Sequence, residues 1–456
     1  MSRPDLPLDH VTPYDRFAWS DTQIEHLLAT GEHQRELIAY FGSREYGELA
    51  TLARQAAAVP TKHAPRVLIV PGIMGSQLGL TRTAPLPHDI LWLDPIDIEL
   101  GRLAALRLPG AAPIVSLGPV LYSYLRLKLH LRVAGWDAVI HDYDWRLGID
   151  DLGRAFADRL RAEAANSLMI VAHSMGGLVA RAALAQPGLE AVRRVILMGT
   201  PNFGSFAPVQ ALRGTYAVVR KIARLVKATS AEAMAGQVFN TFPSLYHMLP
   251  VAGRTGNPDL FDPSQWPQSG PQPKADLLRA ARSLNSRLAQ PDERFAVIVG
   301  VGEETVTAVS RRNDEFVYTI TRRGDGTVPA VSGELPGAVT HYASVAHSEL
   351  TRDREVAAAV IDLLSDGKTA RLPTRWNGRS RAEARISDRQ LRRTHTEKVD
   401  WAGLEPEQRR IFLQNLNEPP TLKLRVPPQR APRTRVTKSK RKPKPPARRQ
   451  TKRPRR

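Results

Sequence analysis

The middle of the chain alternates short apolar runs with longer stretches whose apolar residues recur at helical spacing. A strand inside a parallel sheet is apolar on both faces, so such runs predict buried strands. The predicted strands lie at 66–70, 137–140, 168–172, 195–199, 295–301, 315–321 and 339–345. The predicted helices lie at 150–165, 176–185, 275–289 and 353–364. Strands and helices in this order predict an α/β fold with a mostly parallel sheet.

Further regions flank or interrupt this alternation. Residues 21–58 show helical spacing of leucines and predict accessory helices, and 383–418 holds a weaker unit with a helix in PEQRRIFLQNL. The stretch 203–275 follows a central strand, and a long insertion there is typical of a cap. We therefore divide the chain into an N-terminal helical segment (1–60), an α/β domain (61–368, with a cap or lid at about 203–275), a C-terminal accessory helical segment (369–418) and a tail (419–456).

The charge of the chain is concentrated at one end. The 456 residues carry a net charge of +20, and 42% of them are hydrophobic, which is enough for a sizeable core. Residues 1–370 hold 38 basic and 38 acidic residues, whereas 371–456 hold 27 and 7, so 27 − 7 = 20 accounts for the whole excess. From Thr421 onward there are sixteen basic residues and no acidic one. This composition predicts a disordered, basic tail over 419–456.

Such a tail can bind anionic surfaces through its charge. The tail has two candidate partners: an anionic membrane surface, and nucleic acid that it would bind without sequence specificity. The tail KSKRKPKPPARRQTKRPRR lacks interleaved aromatic residues, so sequence-specific recognition of nucleic acid is not expected. A merely solubilising tail is the alternative.

The absence of cysteine excludes several kinds of site. Disulfides, thiolate nucleophiles and cysteine-ligated zinc or iron–sulfur sites cannot form in this chain. The N-terminus MSRPDLPLDH has no apolar signal core, and no run of about 18 apolar residues occurs. We expect a soluble, cytoplasmic protein, with peripheral attachment to a membrane as a further option, and neither cofactor nor metal.

The most informative motif is the pentapeptide AHSMG at 172–176. It resembles the G-x-S-x-G elbow, and it stands between an apolar strand and a helical pattern. In such an elbow the hydroxyl of Ser174 is exposed at the carboxyl end of the sheet. The N–H of Met175 then points toward the position where an oxyanion forms. Ser174 is therefore the predicted nucleophile.

A serine nucleophile needs a base and an acid, which follow it in the order acid, then histidine, in hydrolases of this architecture. Asp325, in the turn GDGTVP, is the predicted acid, and Asp314 is its nearest rival, inside what resembles a hairpin turn. His347 is the predicted base because it lies in a loop after a strand. The other candidate, His341, falls within that strand and is expected to be packed or exposed.

The loop PGIMGS at 71–76 follows the first predicted strand. The N–H of Ile73 is the candidate for the second oxyanion donor, beside that of Met175. A glycine-rich loop can also bind phosphate. The G-x-x-x-x-G-K-[ST] and G-x-G-x-x-G spacings are both missing here, so we set that interpretation aside.

An amphipathic stretch lies at 209–227. Five basic residues interrupt its apolar positions: Arg213, Arg220, Lys221, Arg224 and Lys227. This pattern is consistent with a lid lying on a lipid surface. The alternative is a helix that covers the core and has a solvated basic face.

Several motifs in order resemble one family. They are PGIMGSQL (71–78), WLDP (92–95), YDWRL (143–147), AHSMGG (172–177), GTPNFGS (199–205), FPSLYHMLP (242–250) and GDGTVP (324–329). Together they are similar to the lecithin:cholesterol acyltransferase family, over about residues 65–365. The resemblance implies an α/β-hydrolase fold with a cap and lid. It places Ser174, Asp325 and His347 on the triad, and Ile73 and Met175 on the oxyanion positions.

The resemblance and the motif residues predict acyl chemistry on a lipid ester, by an O-acyltransferase or a phospholipase or lipase. The chain departs from the family's disulfide-pinned lid because it has no cysteine. The substrate-binding residues, the acyl acceptor and the oligomeric state are left open. The rival hypothesis is a non-catalytic or small-ester-hydrolysing scaffold that the tail targets to an anionic membrane or nucleic acid.

Overall fold

A parallel sheet lies at the centre of the fold. The structure is a computed structural model that describes residues 11–163, 167–226, 229–251, 253, 257–378, 384–394, 396–414 and 416. The predicted tail at 419–456 and Lys227 lie outside the described residues. The described strands are β1 Arg66–Val70, β2 Ser76–Leu80, β3 Asp89–Trp92, β4 Val115–Pro119, β5 Asp137–Ile140, β6 Leu168–His173, β7 Val192–Met198, β8 Phe295–Gly300, β9 Thr305–Arg312, β10 Glu315–Thr321, β11 Val339–Ala343 and β12 Ala384–Ser387.

Among the described strands, six form the central sheet in the order β11-β8-β7-β6-β1-β5, and all neighbours run parallel. β6 is buried along its whole length, as its apolar sequence predicts for an inner strand. The order of connection reverses at β1, because β5 lies on one side of it and β6 on the other. Ligand sites of open α/β sheets lie beyond the carboxyl ends of the strands at such a point. The predicted fold class, an α/β-hydrolase-type sheet, is confirmed.

Two smaller antiparallel sheets were not predicted. One has the strand order β3-β2-β4 and directly follows the 71–76 loop. The other has the order β12-β10-β9, in which β9 and β10 form a hairpin. The strand at 315–321 was predicted, but its pairing with β12 and the pairing of β2 with β4 join distant parts of the chain, which a local apolar pattern does not reveal.

The described helices connect and cover these strands. They are α1 Asp21–Thr30, α2 Gln34–Phe41, α3 Ser43–Ala57, α4 Pro95–Glu99, α5 Leu121–Val133, α6 Ile149–Ala162, α7 Met175–Leu184, α8 Ala207–Leu212, α9 Ala217–Leu225, α10 Ala231–Gln237, α11 Pro243–His247, α12 Ala275–Ala281, α13 Leu284–Arg287, α14 Ala330–Gly333, α15 Arg354–Asp366, α16 Asp388–Arg392 and α17 Pro406–Gln414. The helix predicted at 275–289 is divided into α12 and α13. Short 3₁₀ turns occur at Asp15–Phe17, Arg102–Leu106, Phe239–Thr241, Pro263–Gln265 and His347–Glu349.

The main core lies between the central sheet and the helices α5 and α15. It includes Val67 and Ile69 of β1, Leu127 of α5 and Val360 of α15, all fully buried. Asp353 caps the first turn of α15 by accepting two main-chain N–H groups, which starts this helix after the turn at His347–Glu349.

The helices α1 to α3 pack on α5, where helices were predicted at 21–58. Their apolar side chains meet Leu121, Leu125 and Leu129 of α5 in one buried cluster. Lys128 of α5 is almost fully buried and is held by carboxylates of α1, Asp21 at 3.0 Å and Glu25 at 2.9 Å. The N-terminal helices are thereby fixed to the helix that also borders the predicted site.

The insertion after β7 contains the helices α8 to α11, and we call the described residues of 203–275 the cap. Three of its basic residues are buried. Arg213 and Lys221 are 0% exposed and Arg220 is 5% exposed. The predicted lid on a lipid surface and the alternative of a solvated basic face are therefore both wrong for these three residues.

Two of these buried residues, Arg213 and Arg220, bind a C-terminal segment, residues 384–394 and 396–399, which we call the strap. Arg213 forms an ion pair with Asp388 at the start of α16, and Arg220 donates to the carbonyls of Arg392 and Thr394. Lys398 donates to three carbonyls at the end of the cap helix α9 and beyond it. The strap begins with β12, which lies beside β10, and it covers the side of the cap that the sequence suggested was exposed.

Within the described residues, no helix is long and apolar enough to cross a membrane.

Candidate active site

Ser174 occupies a sharp turn between β6 and α7. Its backbone has φ 55° and ψ −129°, a conformation that is strained for any residue except glycine. The helix that follows approaches the sheet closely: a Cβ atom on Gly176 would lie 2.3 Å from the carbonyl oxygen of Val70. The strained turn and the small neighbour are the features that a nucleophile elbow requires.

The structure brings the three predicted triad residues together. His347 Nε2 lies 2.9 Å from Ser174 Oγ, and His347 Nδ1 lies 2.7 Å from Asp325 Oδ2. Because an ionised carboxylate only accepts hydrogen bonds, Nδ1 carries a proton and Nε2 is free to accept from the serine hydroxyl. The second oxygen of Asp325 accepts from the N–H groups of Thr327 and Val328, at 2.9 and 2.7 Å.

The rival residues lie elsewhere. Asp314 is in the turn of the β9–β10 hairpin and accepts from the main-chain N–H groups of Gln268 and Ser269. His341 is buried in β11, with Nδ1 3.3 Å from the carbonyl oxygen of Leu372. Neither side chain lines the cavity above Ser174.

A glycine at the end of β7 makes room for the histidine. A Cβ atom on Gly199 would lie 2.7 Å from Leu350 Cδ1 and 3.1 Å from His347 Nδ1. The residue also has a positive φ of 55°. A side chain here would therefore press on the imidazole and strain the backbone at once.

The 71–76 loop lies against the nucleophile. A Cβ atom on Gly72 would be 2.7 Å from Ser174 Cβ and 3.2 Å from Ser174 Oγ. The N–H of Gly72 donates to Tyr124 Oη, whereas the N–H groups of Ile73 and Met175 have no acceptor within the described part of the chain. Two free N–H groups beside a serine hydroxyl are the donors that an oxyanion requires.

Aromatic side chains hold this loop in place. Three of them donate to its carbonyl oxygens: Tyr143 Oη to Pro71 at 2.5 Å, Trp145 Nε1 to Ser76 at 3.0 Å and Trp92 Nε1 to Met74 at 3.2 Å. Tyr143 and Trp145 belong to the YDWRL motif, whose role is thus to position the loop. The motif's arginine bonds to Asp144 and to the carbonyl of Leu106.

A narrow cavity opens above Ser174. The cap contributes an apolar wall made of Ala207, Pro208, Ala211, Val218, Leu245 and Met248. Of the described residues around the cavity, none is a lysine, arginine, aspartate or glutamate. Burial, together with the nearby Asp325 carboxylate, raises the pKa of Tyr216 in this wall to about 12, so its hydroxyl stays neutral.

The cap is tied to the loop that carries the acid. Ser205 Oγ donates to the carbonyl oxygen of Thr327 at 2.8 Å. Sequence reasoning did not identify the cavity wall or the partners of the 71–76 loop. The YDWRL motif was quoted only for the family resemblance. Trp92 was part of a quoted motif, but Tyr124 occupies an ordinary buried position of α5 and gave no signal.

In the part of the chain that the structure describes, no group of three or more His, Cys, Asp or Glu residues is placed to hold a metal.

Comparisons with known proteins match part of the chain to one family and find no curated relative. Residues 155–271 match the family described as PGAP1-like alpha/beta domain. This range includes Ser174 and most of the cap. No curated protein matches the chain in sequence. The matched family differs from the lecithin:cholesterol acyltransferase family that the motifs resemble, so the narrower assignment stays a prediction.

Solved structures similar to this chain share little sequence with it. The structure of the Tle4–Tli4 complex is 13% identical with a TM-score of 0.43, covering 66% of this chain and 97% of that chain. Bacillus licheniformis lipase BlEst2 in its propeptide form is 13% identical with a TM-score of 0.35, covering 67% of this chain and 51% of that chain. The mature form of that lipase is 14% identical with a TM-score of 0.34, covering 67% and 94%. The chain has the parallel α/β sheet described above, and its residues 155–271 are similar to the PGAP1-like alpha/beta domain.

Proposed function

We propose that this protein is a serine esterase that acts on lipid esters through an acyl-enzyme on Ser174. The hydrogen-bonded series from Asp325 through His347 to Ser174 carries the proposal, because it ends at a hydroxyl beneath an apolar cavity. A nucleophile, a base and an orienting acid in this order are the machinery of acyl transfer.

The proposed reaction has two steps. Ser174 Oγ attacks the ester carbonyl carbon while its proton passes to His347 Nε2, and the Asp325 carboxylate stabilises the imidazolium. The N–H groups of Ile73 and Met175 donate to the oxyanion, and each is worth about 3 kcal/mol. When the tetrahedral intermediate collapses, the alcohol leaves with the proton from His347. Water or a second alcohol then attacks the acyl-enzyme in the same way.

The walls of the cavity support an acyl chain as the bound group. Apolar cap side chains surround the space above the nucleophile, and the described lining contains no lysine, arginine, aspartate or glutamate. A hydrocarbon chain gains about 0.8 kcal/mol for each methylene group buried against such a wall. A hydrolase and an O-acyltransferase both fit this arrangement, and the acyl acceptor distinguishes them.

Covalent labelling with a fluorophosphonate tests the nucleophile. We expect the full chain to be labelled, Ser174→Ala to lose the label, and the control Ser286→Ala on the exposed side of α13 to keep it. A folded wild-type protein that is not labelled would overturn the proposal and favour a non-catalytic scaffold.

The products formed by the unlabelled wild-type protein define the class. Incubation with a phospholipid and a long-chain alcohol gives free fatty acid if the protein is a phospholipase or lipase, and a new ester if it is an O-acyltransferase. Turnover of short esters alone supports a small-ester hydrolase.

The basic tail is proposed to attach the protein to an anionic surface. Deleting 419–456 is expected to abolish binding to anionic vesicles or to nucleic acid and to leave labelling of Ser174 unchanged. Equal binding by both forms would contradict this role.

A further inference from the structure

Tyr124 and His173 lie behind the candidate site and link its two halves. Tyr124 Oη accepts the N–H of Gly72 at 2.8 Å and lies 3.1 Å from His173 Nδ1. The other ring nitrogen of His173 lies 3.0 Å from the carbonyl oxygen of His347. One continuous series of hydrogen bonds therefore joins the 71–76 loop to the turn that carries the proposed base.

The chemistry of the groups fixes the direction of each bond. The carbonyl oxygen of His347 can only accept, so Nε2 of His173 carries the ring proton and donates it there. Nδ1 is then an acceptor, and the single hydroxyl proton of Tyr124 is donated to it, while the phenol oxygen accepts the N–H of Gly72. A carbonyl cannot donate, so the opposite arrangement of the imidazole would leave this bond unmade.

The surroundings keep the histidine neutral. Burial lowers the pKa of His173 well below its usual range, and the nearby His347, whose ring centroid lies 4.7 Å away, adds to this effect. A doubly protonated ring would also lose the acceptor at Nδ1 that Tyr124 requires. His173 is thus a fixed dipole with one accepting and one donating end.

We propose that Tyr124 and His173 are positioning residues that hold the 71–76 loop and the backbone of His347 at a set separation around Ser174. This inference rests on the proposed serine chemistry. The peptide of His347 is held on both sides, since its N–H donates to the Asp325 carbonyl at 2.8 Å while its own carbonyl accepts from His173. On the other side of the nucleophile, Tyr124 holds Gly72 directly before the free N–H of Ile73.

The separation matters because the base must reach Ser174 Oγ while the oxyanion donor reaches the oxygen of the carbonyl group that Ser174 attacks. A displacement of about 1 Å in either group is enough to lower a rate about 100-fold. His173 stands next to the nucleophile in sequence, so its two bonds also place both groups relative to Ser174. Both side chains border the cavity, and their hydrogen bonds go to the 71–76 loop, to each other and to the backbone of His347.

Amide substitutions separate the two bonds of His173. His173→Asn keeps an acceptor near the position of Nδ1 and loses the donor to His347, whereas His173→Gln keeps a donor near Nε2 and loses the acceptor for Tyr124. His173→Leu removes both. Tyr124→Phe removes the hydroxyl, and Tyr122→Phe on the same helix is its control, because that hydroxyl donates to the distant carbonyl of Tyr40.

We expect His173→Leu and Tyr124→Phe each to lower kcat about 10- to 100-fold with KM changed less than about twofold, and the rate of fluorophosphonate labelling to fall in parallel. The two amide variants of His173 should recover part of the loss, and Tyr122→Phe should retain wild-type kcat. The double variant His173→Leu/Tyr124→Phe should lose less than the product of the single losses, because the bonds form one series. Folded variants with wild-type kcat, or single losses that multiply, would overturn the inference.

A spectroscopic measurement separates this inference from the proposed function. In ¹⁵N-histidine NMR spectra of the full chain at neutral pH, His173 should show the neutral ring with its proton on Nε2, and Tyr124→Phe should change the His173 signals. The absence of this signature in an active protein overturns the positioning pair alone. Its presence in a folded protein that never reacts with fluorophosphonate overturns the serine chemistry alone.

Discussion

Arg213 and Asp388 form an ion pair of 3.0 Å in which neither side chain is exposed to solvent. Arg213 follows α8 of the cap, and Asp388 begins α16 of the strap. Tyr318 Oη donates to the second carboxylate oxygen at 2.8 Å, so the acid is held on both sides. The wall of the cavity is therefore anchored to a segment near the end of the described chain.

Breaking this pair from one side should be strongly destabilising. Arg213→Met leaves the Asp388 carboxylate buried without its partner, and we expect the free energy of unfolding to fall by about 3–5 kcal/mol. Arg282→Met is the control, because its pair with Asp259 is half-exposed and should contribute only about 0–1 kcal/mol. Urea unfolding monitored by circular dichroism measures both losses. Similar losses for the two variants would contradict the structural role of the buried pair.

The lysine of the strap should control how often the cap helix α9 opens. Lys398 donates to the carbonyls of Ala223, Val226 and Thr229. A hydrogen bond from a charged donor is worth about 1.5–3 kcal/mol, so Lys398→Met should speed amide exchange over 217–225 at least about tenfold. Hydrogen exchange followed by mass spectrometry measures this rate. An unchanged rate, or an equal change in the exposed control Lys368→Met, would show that the strap does not hold the cap.

A single methyl group at the 71–76 loop should impair the site. The added Cβ atom of Gly72→Ala would meet Ser174 Cβ at 2.7 Å, so the loop or the nucleophile must move. We expect labelling of Ser174 to slow about 100-fold. Gly47→Ala is the matched control, because nothing lies within 4 Å of its new methyl group and alanine favours the helix α3. Normal labelling of Gly72→Ala would place the reacting atoms elsewhere.

Stability should depend on pH through Asp94. Burial raises the pKa of its carboxyl to about 7, and the neighbouring Asp97 carboxylate adds to this effect. An unfolded aspartate titrates near about 3.9, so between about pH 4 and 7 the folded chain holds a proton that the unfolded chain lacks. Stability therefore falls as pH rises through this window, by at most about 1.4 kcal/mol for each pH unit.

Asp94→Asn tests this dependence. The amide keeps an uncharged oxygen for the N–H of Ile96 at the start of α4 and cannot ionise. We expect Tm to decline less steeply from pH 5 to 8 in Asp94→Asn than in the wild-type protein. The partly exposed control Asp262→Asn should follow the wild-type curve. Parallel curves for Asp94→Asn and the wild-type protein would rule out this group as the cause.

The elements that the sequence predicts well are those whose pattern is local. The run RVLIV forms β1, as predicted. The strand predicted at 315–321 has the same bounds as β10 in the structure. In contrast, β2 has the sequence SQLGL, which alone does not favour a strand. Its backbone is extended because it pairs with both β3 and β4. Such pairing depends on contacts that a local pattern does not contain.

The residues of the candidate site also divide into those that a local motif predicts and those that only long-range contacts reveal. Ser174, Asp325 and His347 stand in short motifs beside strands, and the structure brings all three together. The contact between Tyr124 and Gly72 joins residues 52 positions apart, so the sequence near either residue does not predict it. The basic residues of the cap, such as Arg213, misled the interpretation because their partners lie about 175 positions downstream.

The candidate site gathers groups from across the chain, and this spacing has a consequence for folding. Ser174 and His347 are separated by 173 positions, and Gly72 lies a further hundred positions upstream of the serine. Contacts of such long range form late, because closing the intervening loops costs chain entropy. A fragment limited to 155–271 would contain the serine and lack both of its partners. During refolding, reactivity toward fluorophosphonate should therefore return only after the helical signal, and it reports complete assembly of the chain.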